Sequence, residues 1–192
     1  MNKRQFLAAA AIGASLPSLP AAAKPSKKNG PALLTITGAV HANRGPLDPA
    51  LDQMMHKQKI TFDRAHAFEF AELAALPSVL VTPTLEYDGK QHNLAGPLLL
   101  DVVKAAGAGN AASTKLLLRA VDGYAVAVTA ADARKYRFIV ATHLDGRPMP
   151  LGGLGPLWAI YDADRFPETA AKPVNERFGS CPWALYHIDV QS

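Results

Sequence analysis

The sequence predicts an α+β fold that is rich in β-structure, in which a mixed or antiparallel sheet is accompanied by a few short helices. Apolar segments with many β-branched and aromatic residues recur along the chain, as they do in strands. Asp-Gly pairs at 88–89, 122–123 and 145–146 adjoin several of these segments, and this dipeptide is typical of hairpin turns. Helical segments do not alternate regularly with strands, which argues against a doubly wound parallel sheet.

The strands are predicted from short apolar runs bounded by turn residues. LLTITGAV at 33–40 is the first such run, and ITF at 60–62 is a shorter one. The remaining strand segments are the two arms of SVLVTPTLEYDGKQHNL (78–94), the two arms of KLLLRAVDGYAVAVT (115–129), RFIVATHLDG (137–146), LWAIYD (157–162) and WALYHIDV (183–190). The two-armed segments carry an internal Asp-Gly pair, so each is expected to fold as a hairpin.

Two short helices are expected in the first half of the chain. In DPALDQMMHK (48–57), Asp48 can cap the N-terminus and Pro49 suits the first helical position. AFEFAELAAL (67–76) carries apolar residues at helical spacing and ends before Pro77, because proline disfavours helical backbone in the residue that precedes it.

The clearest helix is predicted for PLLLDVVKAAGAG (97–109). Pro97 would begin this helix, and a glycine would end it. Its apolar face would be formed by Leu99, Val102, Val103 and Ala106. A further helix is expected in TAADARKY (129–136), where Thr129 can cap the N-terminus and Asp132 lies close to the position of a capping box.

The first residues predict an export signal. Residues 1–23 combine a basic head, an apolar stretch at 6–19 and the triplet Ala21-Ala22-Ala23, which is typical of a cleavage site. The NKRQFL run resembles a twin-arginine signal with lysine at the first arginine, and the ordinary secretory route is the alternative. The apolar stretch is shorter than the about 20 residues that cross a bilayer, so we expect no stable membrane span in the mature chain; an uncleaved anchor is the other interpretation. The prediction is a signal peptide (1–23), a flexible leader (24–31) and one domain (32–192) in the periplasm or outside the cell.

The distribution of charge argues against a nucleic-acid partner. The chain has 20 basic and 16 acidic residues, but its N-terminal 28 residues hold five of the basic ones and no acidic one. The rest is nearly neutral and has no basic stripe, unlike a surface that binds nucleic acid. The expected partner is a small-molecule ligand or an unidentified periplasmic protein.

Few residues belong to a recognisable chemical motif. None of the six histidines has a metal-type spacing to another histidine, cysteine or carboxylate. His41 follows the first strand and His143 borders a long loop, so these two are the candidate functional histidines. Tyr124 could stack on a flat ligand or fill the core of its hairpin. Cys181 is a small apolar side chain at the start of a strand or, alternatively, a reactive thiol.

The segment HLDGRPMPLGGLGPLWAIY (143–161) holds four glycines and three prolines directly before an apolar strand. Gly146 and Gly155 could let backbone N–H groups approach a bound anion closely, or they could merely permit turns. Asp162 and Asp164 follow this strand, and they are either paired carboxylates or part of a solvated turn.

Four segments, taken as a set, are similar to a known family. In chain order they are LTITGAV, FAELAALPSVLVTPTLEYDGKQHNLAGPLLLDVVKAAGA, LRAVDGYAVAVTAADARKYRFIVATHLDGRPMPLGGLGPLWAIY and WALYHIDV. Their order resembles the molybdopterin-binding domain of the sulfite oxidase fold, in particular the small exported single-domain members of that oxidoreductase family. The resemblance covers nearly all of residues 32–190. Its most specific pieces are LAGPLL, DGYAV with the later VATHLDGRPM, and GPLW.

The resemblance implies an α+β fold with a β-rich mixed or barrel-like sheet, whose loops enclose a molybdopterin cofactor at one end. The residues that we assign to cofactor binding on this basis are His41, Thr84, Tyr124, His143, Gly146 and Gly155. In catalytic relatives, the cysteine that binds molybdenum lies a dozen residues before the glycine of the LAGPLL motif, and Thr84 occupies that position here. A neutral hydroxyl cannot replace a thiolate on this metal. The segment MPLGGLGP also lacks a basic residue for the cofactor phosphate.

We therefore expect an exported protein of this fold that keeps the shell of a pterin pocket without the usual molybdenum ligand. The sequence leaves open whether the protein is an enzyme. The alternative is a non-enzymatic periplasmic binding module that uses the same pocket for another small molecule or for a partner protein.

Overall fold

The computed structural model describes residues 30–191, so the predicted signal peptide and most of the leader lie outside the described residues. The strands are Ala32–Gly38 (β1), His66–Glu69 (β2), Ser78–Val81 (β3), Leu94–Pro97 (β4), Lys115–Ala120 (β5), Ala125–Thr129 (β6), Ile139–Ala141 (β7), His143–Leu144 (β8), Arg147–Pro148 (β9), Trp158–Ile160 (β10) and Leu185–Gln191 (β11). The helices are Gln53–Lys57 (α1), Phe70–Ala74 (α2), Leu99–Ala105 (α3), Ala130–Lys135 (α4) and Pro167–Ala170 (α5), with 3₁₀ turns at Ala163–Arg165 and Val174–Glu176. Within this part of the chain, no helix has the length and apolar character that crossing a membrane requires.

These strands form three sheets, and the mixture of sheets and helices confirms the predicted α+β class. The largest sheet has the order β2-β1-β11-β5-β6, in which β1 and β11 are parallel and the other neighbours are antiparallel. A four-stranded sheet has the order β3-β4-β8-β9, and β7 pairs with β10 in the third. None of these three sheets closes on itself. In the largest one, for example, β2 and β6 are the two edge strands. The mixed sheet of the prediction is therefore confirmed, and the barrel-like alternative that the resemblance implied is wrong.

One large cluster of buried side chains joins the sheets to the helices. The central strands of the largest sheet contribute fully buried residues, among them Leu34, Ile36, Leu118 and Ile188. From α3, the fully buried residues are Leu99, Val102 and Val103, which confirms the predicted apolar face of this helix. These elements therefore share a common core. Removing one such side chain from water stabilises the fold by about 1.5–3 kcal/mol.

The predicted Asp-Gly turns at 122–123 and 145–146 and the predicted Thr129 cap are confirmed. β5 and β6 pair around the Asp122-Gly123 turn, and Gly123 has a φ of 95°. Asp145 and Gly146 have φ values of 49° and 76°, as the tight turn between β8 and β9 requires. The Thr129 hydroxyl accepts a 3.0 Å hydrogen bond from the Asp132 N–H and so caps α4.

The structure departs from the prediction at the second predicted strand and at the second predicted helix. Residues 60–62 form no strand, and Ile60 instead packs in a small separate cluster. The helix predicted at 67–76 is shorter, because its first residues pair with β1 as strand β2. Glu69 and Glu72 then form a capping box that begins α2. Pairing with a distant strand therefore overrides the helix prediction for residues 67–69.

Two other helices begin later than the sequence predicts. α1 begins at Gln53, because Asp48 accepts two backbone N–H groups in a turn that precedes the helix. α3 begins at Leu99, because Pro97 is the last residue of β4 and pairs with β3. At both sites, a turn or a strand uses the residue that the sequence places at the start of a helix.

Gly96 in β4 lies where this strand passes closest to β7. A Cβ atom at Gly96 would overlap the Val140 carbonyl oxygen and lie 2.8 Å from the Ala141 Cα. We expect Gly96→Ala to lower the free energy of unfolding by about 1–3 kcal/mol, because backbone atoms cannot move aside as a flexible side chain can. Urea denaturation measures this, with Gly109→Ala as the control, since no atom lies within 4 Å of a Cβ there. Equal decreases in the free energy of unfolding in the two variants would contradict the close approach of Gly96 to the backbone of β7.

Candidate functional site

A pocket of about 250 Å³ lies between the β5–β6 turn and the segment that leads into β11. Its aromatic lining residues are Tyr87, Tyr124, Phe178 and Trp183. Its carboxylates are Glu86 and Asp122, and its thiol is Cys181. We refer to the site formed by these seven residues as the aromatic pocket.

Tyr124 lies on the rim of the aromatic pocket, and the interpretation that it fills the core is wrong. Its side chain is 47% exposed, and its hydroxyl donates a hydrogen bond to the Gly179 carbonyl oxygen. The Asp122 carboxylate accepts a 2.9 Å hydrogen bond from the Tyr124 N–H, which fixes the turn that carries the ring. Tyr87, also in the lining, is 56% exposed. About half of each of these two aromatic residues of the pocket is therefore exposed to solvent.

The charges around the aromatic pocket are negative. Glu86 and Asp122 are carboxylates, and no lysine, arginine or histidine is among the lining residues. Cys181 adds no charge, because burial raises the pKa of its thiol to about 12 and keeps it protonated at neutral pH. This supports the interpretation of Cys181 as a buried apolar side chain. Its carbonyl oxygen also accepts a 2.9 Å hydrogen bond from the Trp158 indole N–H.

Thr84 lies outside the lining of the aromatic pocket and is held by an aspartate. Both its N–H and its hydroxyl donate 2.7 Å hydrogen bonds to the same oxygen of Asp164. The other Asp164 oxygen accepts a 2.6 Å charged hydrogen bond from Arg177. Asp162, two residues earlier, accepts a weaker 3.3 Å hydrogen bond from the Thr82 N–H.

The carboxylates of Asp162 and Asp164 have a structural role. Asp162 is only 6% exposed, so the interpretation of this segment as a solvated turn is wrong for it. Asp162 and Asp164 instead fasten the segment 82–84 to the 3₁₀ turn that follows β10. A molybdenum centre does not fit at Thr84, because its neutral hydroxyl cannot replace a thiolate ligand and already donates to Asp164.

The two candidate histidines lie apart from the aromatic pocket. His41 is exposed and packs over Gly107, where a Cβ atom would lie 2.8 Å from the His41 Cδ2. His143 is half-buried, with its Nδ1 2.8 Å from the Thr142 hydroxyl and its ring 5.6 Å from that of Phe70. Neither histidine is among the residues that line the pocket.

The two candidate glycines have local structural roles. Gly146 is exposed in the turn between β8 and β9, and a Cβ atom there would have no neighbour within 4 Å. Gly155 is buried, and a Cβ atom there would lie 2.5 Å from the Met149 carbonyl oxygen. The close approach that Gly155 permits is therefore to the loop's own backbone. The loop also packs against the start of β11, where the Leu185 N–H donates a 2.9 Å hydrogen bond to the Leu157 carbonyl oxygen.

Of the six residues assigned to cofactor binding, the structure brings Tyr124 alone into the aromatic pocket. Sequence reasoning missed Glu86, Tyr87 and Trp183, which come from segments far apart in the chain. One signal could have indicated the two exposed rings: Tyr87 directly precedes one Asp-Gly pair, and Tyr124 directly follows another. Large aromatic residues beside tight surface turns are candidates for a binding rim.

His187 is the most deeply buried histidine of the described chain, and its hydrogen bonds define its tautomer. Thr37 donates its hydroxyl proton to Asp189 at 2.9 Å, so the 3.0 Å bond between this hydroxyl and His187 Nε2 is donated by the histidine. Nδ1 then accepts a 3.1 Å hydrogen bond from Arg119. Burial, followed by the charge of Arg119, lowers the pKa of His187 to about 4. The neutral ring thus links Thr37 to Arg119, with both of its nitrogens in hydrogen bonds.

The buried His187 predicts a pH dependence of stability. Its pKa is about 4 when folded and about 6.5 when unfolded, so the unfolded chain binds the proton more tightly. The free energy of unfolding should therefore fall as the pH decreases from about 6.5 to about 4, by at most about 3 kcal/mol from this group. Arg119, Asp189 and Arg44 are the charged groups that act on the ring. Urea denaturation across this range should show a flatter profile for His187→Gln, and an identical slope would contradict the assignment.

The aromatic pocket offers several groups that can contact a ligand. The aromatic pocket supplies ring faces, two carboxylates and a protonated thiol. Within residues 30–191, no group of three or more histidine, cysteine, aspartate or glutamate side chains is arranged to hold a metal ion. The sequence matches no family model and no curated protein.

Proposed function

We propose that this chain is an exported, non-enzymatic protein that binds a small molecule in the aromatic pocket, on a scaffold of the molybdopterin-binding fold. One observation supports the proposal above all others. Among the phenylalanine, tyrosine and tryptophan residues of the described chain, only Tyr87 and Tyr124 are exposed, and both line this pocket. Exposed aromatic rings that converge on one concave surface are typical of ligand sites, because they offer large contact areas with little loss of side-chain entropy.

The chemistry of the lining supports binding over catalysis. Efficient acid–base or nucleophilic catalysis needs a group whose pKa is matched to neutral pH. The Cys181 thiol, with a pKa of about 12, is a poor nucleophile, and no histidine lies beside it in the lining to activate it. Stacking and polar contacts remain as the interactions that this pocket can provide.

The charge of the pocket also argues against a pterin cofactor there. Molybdopterin carries a phosphate, which proteins bind with cationic side chains or clusters of backbone N–H groups. Glu86 and Asp122 would repel such a group, and the lining has no cationic side chain to compensate for them. The proposal therefore keeps the predicted scaffold and assigns the pocket to another small molecule.

The first test of this function is a ligand screen on the mature chain. Saturation-transfer NMR with flat cationic, neutral and anionic fragments should yield binders whose affinity Tyr124→Ala weakens about 3- to 10-fold, because a stacking face is lost. Leu151→Ala is the control, since Leu151 is 72% exposed and lies outside the lining. The function would be wrong if no fragment of any charge bound, or if both variants changed the affinity equally.

The second test concerns molybdenum. Protein purified from the native periplasm should contain no stoichiometric molybdenum by elemental analysis, because Thr84 offers no thiolate and already donates to Asp164. Thr84→Cys, which supplies a soft ligand at this position with little change in volume, is the companion variant. Retention of the metal by the variant alone would indicate a lapsed metal site. Stoichiometric molybdenum in the wild type would contradict the proposal.

A further inference from the structure

We propose that the ligand of the aromatic pocket is a small organic cation, such as a quaternary or protonated amine that bears apolar groups. This inference rests on the proposed function and adds the chemical class of the ligand. It follows from the joint arrangement of carboxylates and aromatic faces around one concave volume, which are the two kinds of group that recognise such a cation.

The carboxylates give the pocket its preference for positive charge. Glu86 is half-buried beside Tyr87, and Asp122 lies in the turn that carries Tyr124. Because no cationic side chain lies among the lining residues, neither carboxylate is neutralised by one within the pocket. A bound anion would meet two like charges, whereas a cation would meet two opposite charges.

The aromatic rings supply the second half of the recognition. A cation within about 6 Å of a ring face is attracted by the ring's quadrupole, most strongly in the case of tryptophan. Trp183, Tyr87 and Tyr124 offer three such rings, and the buried Phe178 adds an apolar surface. Rings of this kind tolerate the methyl groups of a quaternary amine, which a pocket lined by polar groups alone would leave poorly packed.

The size of the pocket limits the ligand. Its volume of about 250 Å³ lies below the ~300–1,000 Å³ that is usual for drug-sized ligands. The cation should therefore be a small metabolite-sized amine, and a peptide or a larger cofactor would extend out of the pocket.

The experiment compares two molecules of nearly equal shape. Choline is the cationic probe, and 3,3-dimethylbutan-1-ol is its neutral isostere. Isothermal titration of the mature wild-type protein at low ionic strength should give a choline affinity about tenfold higher than that of the isostere, and added salt should reduce this difference. Glu86→Gln keeps the side-chain shape and should weaken choline about 5- to 10-fold without affecting the isostere.

The control variant is Asp63→Asn, which removes one negative charge from an exposed position outside the pocket lining and should leave both affinities unchanged. If the isostere binds as well as choline, or if Glu86→Gln and Asp63→Asn weaken choline equally, the ligand class is wrong while the pocket remains a binding site. If neither probe binds and the fragment screen also finds no ligand, both the ligand class and the proposed function are wrong.

Discussion

The parallel pairing of β1 with β11 is the constraint on which the remainder of this structure depends. In this register Thr37 lies beside Asp189, and the side chain of His187 reaches the same hydroxyl. Arg119 on β5 completes the chain of hydrogen bonds across the three central strands. Buried polar groups must find partners, so a shift of this register would leave several of them unsatisfied. The polar chain therefore specifies the alignment that the apolar core stabilises.

The aromatic pocket is a consequence of this alignment. Because β11 pairs with β5 on its other side, the residues that lead into β11 come to lie against the β5–β6 turn. The Val121 N–H donates a 3.1 Å hydrogen bond to the Ala184 carbonyl oxygen at this point. Cys181 and Trp183, which precede β11, and Tyr124, which follows the turn, thus line one cavity. The pocket therefore depends on the order of the strands in the sheet, which brings these segments together.

Groups that resemble catalytic or cofactor-binding residues support the walls of this pocket. Asp164 holds Thr84 through two hydrogen bonds, and the chain then continues for two residues to Glu86 and Tyr87 in the lining. The glycine-rich loop acts in a similar way, since its Leu157 carbonyl oxygen binds the first N–H of β11. Asp164 and the Leu157 carbonyl oxygen thus fix the backbone segments that lead to the pocket side chains.

The sequence by itself determined the features that depend on neighbouring residues. The Asp122-Gly123 hairpin, the Thr129 cap and the buried face of α3 follow from short-range sterics and hydrogen bonds, which a local pattern encodes. The tertiary structure alone decided that residues 67–69, which the sequence places in a helix, belong to a strand, because they pair with β1. It also decided the candidate site: nearly a hundred positions separate Glu86 from Trp183, and no periodicity or motif relates residues that meet only when a sheet brings distant segments together.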